Sequence, residues 1–440
     1  MRDKGCFHNF VKYASLNVLG MLGLSCYILA DTFFIANALG SRGLTALNLA
    51  IPIYSFVHGC GLMIGMGGGI RFAIRKYQGK RRESDVIFSH AVGLAVGFAA
   101  CFLLAGLLLS GRIVALLGAD RSIFDMTRIY VRMVLLFSPL FLLNNVLLAF
   151  VRNDGAPQRS MAAMVGGSLS NVVLDYVFLF PCRMGMFGAV LATGLAPVVS
   201  MLILSPHMLR RRNTFHLVRC RWSRAMTAGI LSGGVPSLIT EVSAGVVILV
   251  FNGILLAMQG NVGVAAYGVI ANLSLVVTAI YTGIGQGIQP ILSSSFGAGN
   301  REDVRRLLRY ALTAMLLLSA VLYGVVWFGA SPIAAAFNSE GDRLLQAFAE
   351  EGLKLYFIAC PFAGFNIILA VYFAATEYAH PARIISLLRG FVLILPMAFA
   401  LSAGFGMTGV WCAVPVTEAL VAGVGALYWS KGDRQMLVRT

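Results

Sequence analysis

The clearest shortage in this sequence is charge. Asp, Glu, Lys and Arg make up 12% of its 440 residues, whereas they supply about a quarter of a typical soluble domain. A soluble protein of this length could not cover its surface with so few charged side chains. The mean hydropathy is +0.82, and the apolar residues form long runs that can each cross a bilayer core of ~30 Å. We therefore expect a polytopic, all-α membrane protein.

Several chemical signatures are also missing. The 8 cysteines are scattered, with no CxxC pair and no Cys/His cluster, so neither a structural metal nor a disulfide framework is indicated. There is no GxxxxGK[ST], no HExxH and no GxSxG motif, which would signal a phosphate-binding loop, a zinc protease or a serine hydrolase. We expect no enzyme and no cofactor, and the sequence offers no ATP-binding motif.

Basic residues outnumber acidic ones, 34 to 18. Most of them lie at alternate junctions between the apolar runs, as the positive-inside rule requires. This placement favours membrane topology over nucleic-acid binding and puts both termini in the cytoplasm. The runs predict twelve spans, near residues 13–36, 46–70, 87–110, 127–150, 160–181, 186–208, 225–256, 262–291, 307–330, 350–374, 382–403 and 407–429.

The chain repeats itself at half its length. Seven residues recur 220 positions later without a gap: Gly40, Gly43, Ala46, Gly65, Gly67, Gly79 and Arg81 match Gly260, Gly263, Ala266, Gly285, Gly287, Gly299 and Arg301. An even number of spans per half leaves both halves in the same orientation, with a cavity between them. We predict an N-terminal six-helix bundle (1–209), a basic cytoplasmic linker (210–224) and a C-terminal six-helix bundle (225–440).

One polar pair interrupts the fifth apolar run. Asn171 and Asp175 lie four residues apart, on one face of a helix. A carboxylate at membrane depth costs at least ~2.5–3.5 kcal/mol, so it normally faces a bundle interior or a wet cavity. Two interpretations follow: a structural pair that ties helices together, or an ion or proton site in a transporter.

Several fragments, in order and along nearly the whole chain, resemble the multidrug and toxic compound extrusion (MATE) transporters of bacterial type. The fragments are Asp31-Thr-Phe-Phe-Ile, Leu39-Gly40, Gly65 and Gly67, Arg152-Asn-Asp-Gly155-Ala-Pro157, Asn171-Val-Val-Leu-Asp175, Gly188-Ala-Val-Leu-Ala-Thr193, Gln289-Pro290 and Gly297-Ala-Gly-Asn300. The resemblance implies two pseudo-symmetric six-helix bundles around a V-shaped central cleft. It also implies a multi-pass protein of the bacterial cytoplasmic (inner) membrane.

The resemblance further implies a cation-coupling site formed by Asp31, Asn171, Asp175 and Thr193. Two carboxylates and two neutral oxygens could hold Na⁺ through hard oxygen ligands. Two neighbouring carboxylates in a poorly solvated site could equally retain a proton, because burial and like charge both favour the neutral form. The same acids serve H⁺ or Na⁺, and either ion could compete there with a cationic substrate.

Other polar residues in the spans are weaker predictions. Glu241, in the seventh span, is an accessory acid or a structural partner of a neighbouring helix. Arg389 is expected to snorkel towards the membrane surface. The first span lacks the helix-bending proline that many family members carry, so no bend at proline is expected. Four amides are expected to line a substrate cleft, with helix–helix contact as the competing interpretation: Asn144, Asn145, Gln286 and Gln289.

The resulting hypothesis is a cation-coupled (H⁺ or Na⁺) antiporter that exports organic cations or drug-like amphipathic compounds by alternating access. The alternative is a flippase for a lipid-linked or lipid-like substrate, which would line its cleft with arginine if the headgroup were polyanionic. A membrane-embedded enzyme or sensor would need a catalytic cluster or a soluble domain. The expected partners are the substrate and the lipid bilayer, and a monomer can suffice because the repeat supplies both walls of the cleft.

Overall fold

The computed structural model describes residues 2–338 and 341–438, with side chains for 5–338 and 341–431. Thirteen α-helices account for most of these residues: α1 (Arg2–Tyr77), α2 (Arg81–Leu108), α3 (Ser110–Leu116), α4 (Phe124–Leu136), α5 (Ser138–Asn153), α6 (Pro157–Leu179), α7 (Gly185–Leu209), α8 (Arg224–Gly297), α9 (Arg301–Phe337), α10 (Arg343–Tyr356), α11 (Cys360–Ala375), α12 (Ala379–Leu387) and α13 (Ile394–Val438). A 3₁₀ turn at Phe357–Ala359 joins α10 to α11, and a π-helical segment at Leu388–Val392 joins α12 to α13.

Some helices are longer than one membrane crossing because two spans follow each other directly. In the described part of the chain, 8 helical elements are long and apolar enough to span, and α4 with α5, bent by 48°, makes a ninth. Three of these elements contain a glycine with non-helical φ and ψ that divides them into two spans: Gly40 in α1, Gly260 in α8 and Gly406 in α13. The predicted all-α fold with twelve spans is confirmed.

The internal repeat is present in the backbone as well as in the sequence. Gly40 and Gly260 adopt nearly the same conformation, with φ of 64° and 61°. Gly185 and Gly406 also correspond, with φ of 60° and 61°. Glycine reaches positive φ without steric cost because it has no Cβ. The two halves therefore break their helices at equivalent positions.

Each half has its own apolar core. Ile64 and Phe150 belong to the core of the N-terminal half, and Leu369 and Trp411 to that of the C-terminal half. The second core also takes in side chains from both ends of α1: Phe10, Ala14, Ile70 and Ile74. The halves therefore share packing where α1 begins and where it ends.

Glycines bring the halves together at this end of the molecule. Gly67 of α1 lies against the backbone carbonyl of Ile230, and Gly234 of α8 lies against the carbonyl of Met63. A Cβ at either glycine would overlap the facing helix, so only glycine allows this crossing. We call this end the basic end, because it carries the segments 71–82, 210–224 and 301–309. The contacts there close the space between the halves on that side.

The predicted linker is held against the N-terminal half rather than running free. Phe215 is 1% exposed, belongs to the core of that half, and packs on Phe88 with ring centroids 4.6 Å apart. The backbone N–H of His216 donates a hydrogen bond to Asp85 at 2.8 Å. The linker therefore contributes to the folded N-terminal half.

Asp154 also anchors the linker to the N-terminal half. Its carboxylate is fully buried and accepts hydrogen bonds from Lys76 Nζ at 2.7 Å and His207 Nε2 at 2.8 Å. It also accepts bonds from the backbone N–H of Thr214, at 3.0 Å, and from the Thr214 hydroxyl. One carboxylate thus joins α1, α7 and the linker through four donors.

Candidate functional site

Two aspartates meet inside the N-terminal half. Asp31 lies on the first span of α1 and Asp175 on α6, with exposed fractions of 7% and 0%. Their carboxyl groups are within hydrogen-bonding reach of each other. The Oδ1 atom of each is buried without a partner among the described residues. Two dehydrated carboxylates in contact cannot both remain charged unless a proton or a cation lies between them.

Asn171 and Thr193, which the resemblance groups with the two aspartates, lie beside this pair. Asn171 is one helical turn before Asp175 and is fully buried. With its amide oriented to suit both neighbours, its nitrogen donates to Asp175 Oδ2 at 3.0 Å, and its oxygen accepts from the Thr193 backbone N–H at 3.2 Å. The Thr193 hydroxyl donates to the Ala189 carbonyl at 3.2 Å. Asn171 therefore orients Asp175, while the Thr193 oxygen keeps its lone pairs for an ion or a donor.

The oxygen chemistry of the four residues fits H⁺ or Na⁺. Hard cations take carboxylate, amide and hydroxyl oxygens. Among the described residues no group of three or more His, Cys, Asp or Glu side chains could hold a metal ion. The site therefore lacks the ligand set of a transition-metal centre.

Three tyrosines near the aspartates were not predicted as part of the site. Tyr130 on α4 is 4% exposed and lies within reach of the Thr193 hydroxyl and near Asp31. The hydroxyl groups of Tyr27 and Tyr54 are 2.9 Å apart, and both rings lie near Asp31. Tyrosine in an apolar run gives little signal in a sequence, because its ring packs like any other aromatic.

A central cavity of about 310 Å³ lies between the two halves. Three of the four predicted cleft amides line it: Asn144, Asn145 and Gln286. Gln289 does not. It is fully buried and exchanges two hydrogen bonds of 3.1 Å with Asn153 across the halves. The competing interpretation, helix–helix contact, is the one that its position fits.

Neither Asp31 nor Asp175 lines this cavity, whereas Tyr27 and Tyr54 do. The tyrosine pair therefore borders the cavity on one side and the aspartates on the other. The geometry does not bring a substrate in the cavity into contact with the aspartates.

Glu241 does line the cavity. Its Oε1 lies 3.3 Å from Nδ1 of His58, and the two side chains are 32% and 14% exposed. The pair joins α8 of the C-terminal half to the second span of α1. Glu241 is thus an acid at the cavity wall, 183 residues away from its partner in the chain.

A second cavity of about 220 Å³ lies in the C-terminal half, lined by Arg389 and Glu418 among others. Arg389 follows the start of the π-helical segment and does not snorkel: its Nη2 and Nε bind Glu418 Oε1 at 2.8 and 3.1 Å. The expectation for Arg389 was therefore wrong. Asn366 Nδ2 donates to Glu418 Oε2 at 2.7 Å. Residues 29 and 52 apart in sequence form this cluster, which spacing alone does not predict.

Comparisons with known proteins agree with this architecture. The model of the MatE family matches residues 18–177 and 236–400, one match in each half. The multidrug export protein MepA of Staphylococcus saprophyticus subsp. saprophyticus is 25% identical over 422 residues, covering 94% of this chain and 92% of that protein.

Two solved structures share the fold at 21% identity. A crystal structure of MATE in complex with MaL6 aligns with a TM-score of 0.91, covering 98% of this chain and 97% of that one. The outward-facing conformation of a multidrug resistance MATE family transporter of the MOP superfamily aligns with a TM-score of 0.90, covering 98% and 96%. The paired six-helix arrangement expected from the sequence is that of these structures.

Proposed function

The chain belongs to the MatE family, and we propose that it exports drug-like amphipathic compounds by cation-coupled antiport. Family membership makes it a multi-pass membrane transporter and not an enzyme. Its similarity to multidrug export proteins along 94% of its length supports small organic molecules as the cargo. The coupling ion, H⁺ or Na⁺, is inferred from the chemistry of the site.

The observation that carries the proposal is the buried pair of Asp31 and Asp175. Burying two charges in contact is strongly unfavourable, so occupancy by a proton or Na⁺ determines whether this arrangement is stable. A site whose conformation depends on an ion can couple that ion to transport, because the ion binds one state more tightly than the other. Asn171 and Thr193 are neutral, so a bound ion has only the charge of the two carboxylates to balance.

Coupling would pass through the tyrosine pair rather than through direct competition for the aspartates. Tyr27 lies one turn before Asp31 on α1, and its hydroxyl is bound to Tyr54 at the cavity wall. A change in the charge of the aspartate pair would alter the field on these hydroxyls and the packing of the first span. Ion binding at the aspartates would thereby change the affinity of the cavity for substrate.

Alternating access requires the basic end to open. In the present conformation the halves meet there through Gly67 and Gly234, and Asn153 is bonded to Gln289. By the positive-inside rule this end is cytoplasmic, and the conformation is closed to the cytoplasm. We place both termini on that side of a bacterial cytoplasmic membrane. One chain supplies both walls of the cavity, so a monomer suffices.

The flippase alternative is less well supported. A polyanionic headgroup calls for several unpaired arginines in the cavity wall. Arg152 and Arg389 line the cavity, but Glu418 neutralises Arg389. In the part of the chain that the structure describes, this leaves the Arg152 guanidinium, which suits one acidic group better than a diphosphate.

The test uses the full-length protein in proteoliposomes loaded with buffer, with rhodamine 123 as the transported dye. A proton gradient and a sodium gradient are imposed separately. Concentrative dye movement under one gradient and not the other establishes the antiporter and identifies the coupling ion. Absence of movement under both gradients, with folded protein shown by its unfolding transition, overturns the proposal.

A further inference from the structure

Arg152 is a buried cation at the cavity. The positive-inside pattern places it in a cytoplasmic loop, but the structure puts it at the end of α5, 4% exposed, in the cavity wall between the halves. An arginine this deep normally has a carboxylate partner, because burying an uncompensated charge is costly.

The hydrogen-bond partners of Arg152 among the described residues are neutral. Nη1 donates to Asn17 Oδ1 at 2.8 Å and to Gln286 Oε1 at 3.2 Å. Nη2 donates to the sulfur of Met66 at 3.2 Å, and thioether sulfur is a weak acceptor. Within residues 5–338 and 341–431, no carboxylate forms an ion pair with it.

The free edge of this guanidinium has a recognisable shape. Nε is buried without a partner in the same ranges, and the adjacent Nη2 is engaged only by the Met66 sulfur at the end of a flexible side chain. Nε and Nη2 together form the side-on fork that binds a carboxylate through two parallel hydrogen bonds. Arg389 shows the satisfied counterpart, since its Nε and Nη2 both bind Glu418.

We propose that Arg152 binds an acidic group of the transported compound, so that zwitterionic amphipathic molecules are preferred cargo. The cationic group of such a molecule would be met by Glu241, the half-buried acid in the wall of the same cavity. The proposal rests on the export function above and adds the chemical class of the cargo. The same fork takes a phosphate, so a lipid headgroup is the other source of a matching oxyanion.

Binding of two dyes that differ only at one acid tests this inference. Rhodamine 110 has a free carboxylate, and rhodamine 123 is its methyl ester. We expect the purified full-length wild type to bind rhodamine 110 about tenfold more tightly in fluorescence polarisation, the size of a charge-assisted hydrogen-bond pair. Equal affinities for the two dyes in the wild type would overturn the inference.

Variants separate binding from a merely structural role. Arg152→Gln is expected to abolish the preference while rhodamine 123 affinity stays within about threefold. If Arg152 only ties the halves together, both affinities would fall alike, and the inference fails. Arg152→Lys keeps the charge without the fork and is expected to fold and to retain part of the preference. Arg81→Gln, an exposed arginine outside the cavity, should change neither affinity.

A water-soluble phosphatidylglycerol, added as competitor, distinguishes the two oxyanion sources. No displacement of rhodamine 110 assigns the fork to the carboxylate of a small molecule. If the lipid displaces rhodamine 110 at a lower concentration than unlabelled rhodamine 110 does, the fork binds a lipid phosphate, and the proposed cargo class is overturned. Rhodamine 123 transport is measured independently, so the exporter proposal survives if only the acid preference fails.

Discussion

The hydroxyls of Tyr27 and Tyr54 form a 2.9 Å hydrogen bond that links the two spans of α1 and separates the aspartate pair from the central cavity. We expect this contact to transmit the charge state of the aspartates to the substrate. Removing one hydroxyl breaks this contact and leaves both rings in place.

Tyr27→Phe removes one hydroxyl and keeps the ring. We expect a loss of about 1 kcal/mol in the free energy of unfolding, typical of one hydrogen bond, together with weaker ion-driven efflux. Tyr281→Phe is the matched control, because its hydroxyl bonds Ser319 at 2.7 Å in the other half. It should lose similar stability and keep its efflux; equal loss of efflux in both variants would count against the tyrosine contact.

The crossing of α1 and α8 at the basic end is tested by Gly67→Ala. The added methyl would overlap the Ile230 carbonyl, so we expect destabilisation of about 1–3 kcal/mol, the usual cost of overpacking. Gly253→Ala is the control, since nothing lies within 4 Å of its Cβ position. That variant should be neutral or up to ~1 kcal/mol more stable, because alanine favours the helix. Thermal unfolding in detergent decides between these outcomes, and an unaffected Gly67→Ala would disprove the tight crossing.

The linker anchor is tested by Asp154→Asn. It leaves Lys76 without its buried counter-charge, so we expect a loss of about 3–5 kcal/mol. Amide hydrogen exchange should rise across residues 210–223. Asp85→Asn removes the charge from a more exposed acceptor of one linker amide but keeps an accepting oxygen, so it should raise exchange less. Unchanged exchange in Asp154→Asn would mean that the other linker contacts, including Phe215 and the Asp85 bond, hold the linker without Asp154.

The buried pair in the C-terminal half makes a separate prediction. Glu418→Gln leaves the charge of Arg389 uncompensated, at a cost of about 3–5 kcal/mol. The double variant Arg389→Gln with Glu418→Gln should recover part of that loss, because both charges are then absent. A double-mutant cycle by thermal unfolding measures the coupling energy, and additive losses would exclude a direct ion pair.

The sequence predicts most of this fold because each membrane span is a long apolar run and because the second half of the sequence repeats the pattern of the first. Gly40 and Gly260 mark the same break in both halves, and their shared offset is visible without a structure. Helical spacing alone places Asn171 and Asp175 on one face, and the family resemblance supplies Asp31 and Thr193. These features depend on local pattern or on the order of motifs.

The remaining site residues depend on which helix faces meet in space. Arg152 and Arg389 have similar sequence surroundings to snorkelling arginines, and only packing shows which of the two is paired with a carboxylate. Gln289 resembles a cleft amide, but the crossing of α5 and α8 directs it to Asn153 instead. The Glu241–His58 contact joins positions with no shared motif.

The role of the aspartate pair is decided by concentrative uptake in inside-out proteoliposomes, with Asp175→Asn compared against the wild type under the effective ion gradient. We predict that Asp175→Asn is present and folded in the membrane but moves rhodamine 123 no faster than protein-free liposomes do. Asp125→Asn, the same change at an exposed carboxylate, should transport like the wild type. Normal gradient-driven uptake by Asp175→Asn would contradict coupling through Asp31 and Asp175.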